Sequence, residues 1–113
     1  MKKIEAIIRP EAFQTLRQRL DDHNVKGLTV SEVAGCGQQQ GQQGVFRGNR
    51  FEIKLYPKVK VEMVAEDDEV ETIADVIMDT CATDQVGDGK IFVSAIENVY
   101  RIRTRETGKS ALI

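Results

Sequence analysis

The chain has 113 residues, 41% of them hydrophobic and 30% charged, with a formal net charge of −2. That length accommodates one domain with a modest core and leaves no room for a second. The near-neutral charge excludes a general attraction to nucleic acid or anionic membrane, so any polyanion site must be local and built from a few placed cations. The two cysteines, Cys36 and Cys81, form no CxxC pair, and His23 is the single histidine. A disulfide framework, a metal centre and a histidine-based catalytic group therefore have no support. No signal-peptide core or membrane-length apolar run occurs, so a cytoplasmic location is expected.

In chain order, "KKIEAIIR" (2 to 9) alternates as a strand, with Ile4, Ala6 and Ile8 on one face. Pro10 suits the first turn of a helix, in which Phe13, Leu16 and Leu20 share a side. "LTVSEVAG" (28 to 35) reads as a second strand. The pattern then repeats: "KVKVEMVA" (58 to 65) is strand-like, and Asp68 with Glu71 resembles a capping box. Val70, Ile73, Ala74, Ile77 and Cys81 follow at helical spacing, the cysteine as a small buried apolar residue. "KIFVSAIENV" (90 to 99) gives a fourth strand, apolar on both sides. Two β-α-β halves of similar length predict an α+β, ferredoxin-like βαββαβ sandwich over 1–113, with both helices on one sheet face. The uncovered face is then expected to meet other subunits.

Between the halves lies "GCGQQQGQQGVFRGNRFEIKLY" (35 to 56), which holds five of the nine glycines. Connections in compact domains run to about 4–6 residues, so this one is too long to be only a link. It reads either as a low-complexity insert or as a recognition loop. Phe46, Arg47, Arg50 and Phe51 favour the second, because arginine interleaved with aromatics is typical of protein contacts.

"TDQVGDGKIF" (83 to 92) raises a similar choice. A P-loop would need GxxxxGK followed by Ser or Thr at a helix start, whereas Lys90 is followed by Ile91 and a strand. The stretch is either plain turn punctuation or an anion-binding concavity. In the second reading Gly87 and Gly89 let amides converge, Lys90 supplies charge, and Asp88 orients the turn or Lys90. In "YRIRTRE", Arg101 and Arg103 two residues apart would leave an extended chain on one face, as a solvated basic edge or as two forks for phosphate oxygens.

Taken together, "MKKIEAIIRP", "GLTVSEVAG", "PKVKVEMV", "GDGKIFV" and "RIRT" resemble the PII signal-transduction proteins over essentially the whole chain. The resemblance implies a homotrimer, with ATP or ADP in clefts between subunits and Mg possible alongside ATP. It places Thr29, Gly35, Gly37 and Val64 around adenine and ribose. It also implies that Gly87, Asp88, Gly89 and Lys90 form the phosphate-binding turn (83–90), with Arg101 and Arg103 of the C-terminal segment (99–113) reaching phosphates across the subunit boundary. Residues 35–56 correspond to the T-loop, with Arg47-Gly48 keeping part of its tip.

The departures from the family pattern bear on function. Phe51 stands where uridylylated members carry tyrosine, and phenylalanine has no hydroxyl to modify; Phe46 also replaces a frequent tyrosine. Gln38 takes the place of an arginine that would contact the terminal phosphate, so a weaker preference for ATP over ADP is expected. Asp84 replaces the usual first glycine of the phosphate turn. Gln39 and Lys58 occupy positions that would hold Mg and 2-oxoglutarate, but the neighbouring basic residues are missing, so 2-oxoglutarate sensing is not expected.

The function expected is a non-enzymatic sensor of ATP and ADP that controls a protein target, a membrane transporter or a metabolic enzyme, through its T-loop. An ordinary 2-oxoglutarate-responsive nitrogen regulator is the alternative within the family. An ATP hydrolase lacks a catalytic constellation, and an RNA-binding module would need central aromatics and a basic surface.

Overall fold

The computed structural model describes residues 1–36 and 54–112. The first strand, β1 (Lys2–Ile8), buries Ile4, Ala6 and Ile8 on one face, the period-two pattern of a strand covered on one side. Arg9 stays extended (φ −69°, ψ 142°), as the residue before a proline is obliged to. Pro10 opens a single 3₁₀ turn that feeds α1 (Phe13–Asp22), whose Leu16 and Leu20 are fully buried.

Asn24 ends α1 in the left-handed region (φ 66°), where a short polar side chain is tolerated. Its amide donates to the Asp21 carbonyl (2.9 Å), and the Val25 amide to that of Leu20 (2.9 Å). This is a Schellman closure, with asparagine in the place glycine usually takes.

β2 (Thr29–Gly35) and β3 (Tyr56–Ala65) follow. β3 starts two residues before the expected strand. Pro57 is tolerated there because β1 reaches only to the Ile8↔Val59 pair, leaving β3 with one neighbour at that point. Val59, Val61, Met63 and Ala65 enter the core. The acidic start of the second helix is displaced from the expected Asp68 and Glu71: Glu69 Oε1 accepts from the Glu66 amide (3.1 Å) across a 3₁₀ turn (Asp67–Glu69). α2 (Val70–Cys81) then buries Ile73, Val76, Ile77 and Cys81. β4 (Lys90–Ala95) stops short of the expected residue 99: its last β1 pair is Lys2↔Ala95, after which the Ile96 amide donates to the Met1 carbonyl (3.1 Å).

The strand order is β2-β3-β1-β4, antiparallel throughout, so each β-α-β half has a strand of the other inserted between its own two. This is the expected ferredoxin-like arrangement. One cluster of buried side chains joins both helices to the same sheet face, each buried Ile or Leu contributing about 1.5–3 kcal/mol. On the other face Lys3 Nζ pairs with Glu62 (2.6 Å), and Phe92 is 53% exposed. Among the described residues no helix is long and apolar enough to cross a membrane.

The topology decides what meets at each end of the sheet. The last residues of β1 and β2 and the first of β3 and β4 gather at one end, which brings Ile7, Arg9, Gly35, Lys58 and Lys90 together. The opposite end collects Thr29, Val64 and the end of β4.

Candidate functional site

The connection from α2 to β4 is the most constrained turn among the described residues. Asp84 (φ 65°), Gly87 (φ 106°) and Gly89 (φ 105°) all have positive φ. Gly87 and Gly89 lie where L side chains are strained, and a Cβ on Gly89 would stand 1.8 Å from the Ile7 carbonyl oxygen. Asp84 stands in the left-handed region, and aspartate is among the residues that tolerate it. Its side chain does not line the adjacent cleft.

Asp88 holds this turn together. Its carboxylate accepts from the Thr83 hydroxyl, the Thr83 amide (2.6 Å), the Asp84 amide (3.0 Å) and Arg9 Nε (3.2 Å). These donors, the Thr83 hydroxyl and amide foremost, hold the Asp88 carboxyl far below the usual carboxylate range. The carboxylate is thus turned onto its own loop, as expected of a residue that orients the turn, and it makes no bond to Lys90.

Two cations, Arg9 again and Lys58, fix carbonyls of the same loop. Arg9 Nη2 donates to Val86 O (2.9 Å) and Lys58 Nζ to Gly87 O (2.7 Å). The C=O and the following N–H of a trans peptide point in opposite directions, so these bonds also set the Gly87 and Asp88 amides. Burial, and then the charge of Arg9, pushes the Lys58 ammonium pKa down. Among the described residues, no protein acceptor meets the amides of Gly87 or Gly89.

The turn borders a cleft of about 660 Å³ lined by Ile7, Gly35, Cys36, Lys58, residues 85–90 and Phe92. Unmet amides with an exposed lysine beside them are complementary to an oxyanion.

The other expected positions fall elsewhere. Thr29 and Val64 line a second cleft, of about 1060 Å³, with Lys3, Glu62, Lys109 and Leu112. It lies at the other end of the sheet, so the expected grouping of Gly35 with Thr29 and Val64 does not occur within one chain. Arg101 and Arg103 are not in extended chain: residues 102–104 form a turn, closed by Arg101 N to Glu106 O and Arg105 N to Arg101 O (2.8 Å each). Arg101 Nε faces Glu106 Oε1 at 3.4 Å, and neither arginine lines either cleft. The premise that two guanidiniums leave one face of a strand is therefore corrected. Gly37, Gln38, Gln39, Phe46, Arg47, Gly48, Arg50 and Phe51 lie outside the described residues.

Sequence reasoning missed Arg9 and Thr83. Arg9 is 79 positions from Asp88 and carries no motif, so only the β1–β4 pairing brings the two together.

A family model described as "Nitrogen regulatory protein P-II" matches residues 1–106. Similar proteins bearing that name occur in Cereibacter sphaeroides (46% identical) and Pasteurella multocida (45%), each aligned over 99% of this chain and 100% of the relative. A "Nitrogen regulatory protein P-II 2" of Methanothermobacter thermautotrophicus is 44% identical over 99% of this chain and 97% of its own. With this coverage and identity, and with the interlocked β-α-β halves already described, the chain belongs to the nitrogen regulatory P-II family of signal-transduction proteins.

Proposed function

We propose that this protein is a non-enzymatic sensor that binds ATP or ADP in clefts between the subunits of a homotrimer. Its nucleotide state is then passed to a protein target through residues 35–56. The observation that carries the reading is the 83–90 turn: its carbonyls are tied back by Arg9 and Lys58, its carboxylate is satisfied internally, and its glycine amides are left for an anion. A phosphate chain is the anion that suits several amides with a lysine at their rim.

The separation of the two clefts supports a site shared between subunits. Thr29 and Gly35 stand at opposite ends of β2, about 20 Å apart at strand rise. One nucleotide cannot touch both within one chain. A neighbouring copy that sets its Thr29–Val64 end, with Arg101 and Arg103, against this turn completes the site. The target belongs to nitrogen metabolism by analogy with the relatives' names, and a membrane transporter or a metabolic enzyme is the class of partner.

The loop signals without uridylylation at position 51, because Phe51 offers no hydroxyl. Gln38 in place of a fixed cation reduces the advantage of ATP over ADP. Lys58, already bonded to Gly87 O, would have to leave that carbonyl to pair with a dicarboxylate, which weighs against 2-oxoglutarate as the main signal.

Calorimetric titration of the purified protein with ATP and ADP, with its mass in solution measured alongside, tests this. Binding of both nucleotides by a trimer is expected. A folded trimer that gives no heat with either at millimolar levels would reject the reading.

A further inference from the structure

We infer that Arg9, which does not line the cleft, is a positioning residue that sets the direction of the phosphate-facing amides. The inference rests on the nucleotide reading above. One planar guanidinium holds two groups of the turn at once: Nε reaches Asp88 Oδ1 (3.2 Å) and Nη2 reaches Val86 O (2.9 Å). Because the fork is rigid, the separation of those acceptors is fixed by the side chain.

The arm itself is anchored. Arg9 lies between Ile8, 2% exposed in the core, and Pro10, and its own side chain is only 18% exposed. Two positions earlier, the Ile7 carbonyl packs where a Cβ of residue 89 would lie. The end of β1 is thus the surface against which the turn is set.

Loss of Arg9 leaves Asp88 held by Thr83 and the Asp84 amide, but frees the Val86 carbonyl. The Val86–Gly87 peptide plane can then rotate, since glycine permits a wide range of φ, and the Gly87 amide loses its direction. Lysine cannot replace the fork, because an ammonium is a single point donor. The consequence falls on the phosphate end of a ligand and spares the base, whose positions at Thr29 and Val64 come from the neighbouring copy in the reading above, whereas Arg9 bonds only Asp88 and Val86 of its own turn.

The test is titration of the full chain, wild type and Arg9→Gln, with ADP by calorimetry and with adenosine by NMR shift. Arg9→Gln is expected to weaken ADP about tenfold, the worth of one charge-assisted hydrogen bond, and to leave adenosine unchanged. Arg9→Lys should recover little, and Thr83→Val should shift ADP in the same direction by less. Equal losses for both ligands, or unaltered ADP affinity in a folded Arg9→Gln protein, would overturn the inference. If Arg9→Gln does not fold, the same comparison on Arg9→Lys decides. A wild-type protein that binds ADP no better than adenosine would reject the nucleotide reading itself, and the inference with it.

Discussion

The two helix-to-strand connections occupy equivalent places in the two halves of the chain and are built in opposite ways. After α1, the link 23–28 closes on its own backbone: a Schellman pair, asparagine at positive φ, and Gly27, around which an added Cβ would meet nothing within 4 Å. After α2, Ala82 leaves the helix extended (φ −73°, ψ 130°), and 82–89 is held by side chains from elsewhere, Arg9 and Lys58 among them. The first link is set by its own main chain, with the Asn24 and Val25 amides bonded back to α1. A link held from outside can keep its amides directed at a ligand. That contrast separates a structural turn from a binding turn.

The sharpest way to break the comparison is with alanine at the two glycines. Gly89→Ala forces a Cβ into the Ile7 carbonyl at positive φ and should cost roughly 3 kcal/mol or more, while Gly27→Ala stays within about 0.5 kcal/mol. Urea denaturation midpoints of the two variants measure this. Similar losses at both sites would mean that the second turn is not set against β1.

The paired aspartates come next. Asp88→Asn weakens charge-assisted bonds from Thr83 and Arg9 and should cost about 1–2 kcal/mol at neutral pH. Asp21, whose exposed carboxylate meets Lys26 (2.8 Å), should be replaceable by Asn with no measurable change. The sign with pH follows from the depressed Asp88 pKa. Its stabilising contribution is complete above the unfolded value of about 3.9 and is lost as pH falls below it. Denaturation at pH 7 and at pH 3 should therefore show a smaller acid loss in Asp88→Asn than in wild type.

The smallest effect distinguishes Asn24 and Asp84, the non-glycine residues at positive φ in these two links. Asn24→Gly and Asp84→Gly each remove left-handed strain but add chain entropy, so each should change stability by less than about 1 kcal/mol. Thermal melts of both variants would detect a larger change at Asp84, which would mean that its side chain has a role beyond allowing the bend.

Much of the fold was legible from the chain alone. Ile4, Ala6, Ile8, Leu16, Leu20, Val59, Val61, Met63, Ile73, Ile77 and Cys81 all point inward as their spacing requires, because periodicity is a local consequence of strand and helix geometry. Errors appeared where a neighbour sets the limit. β4 ends with its last β1 pair, Lys2↔Ala95, and β3 begins early because β2 extends alongside it.

The candidate site divides in the same way. Local sequence determined that Gly87-Asp88-Gly89-Lys90 makes a turn able to expose amides, since two glycines around an aspartate permit positive φ cheaply. Tertiary structure alone decided that the amides are directed. Arg9 and Lys58 come from distant strands, and only the interlocked strand order puts them beside the turn. It also moved Thr29 and Val64 to the far end of the sheet and folded Arg101 and Arg103 into a turn of their own, because contacts between residues far apart in sequence are fixed by strand pairing, to which no local pattern of side chains refers.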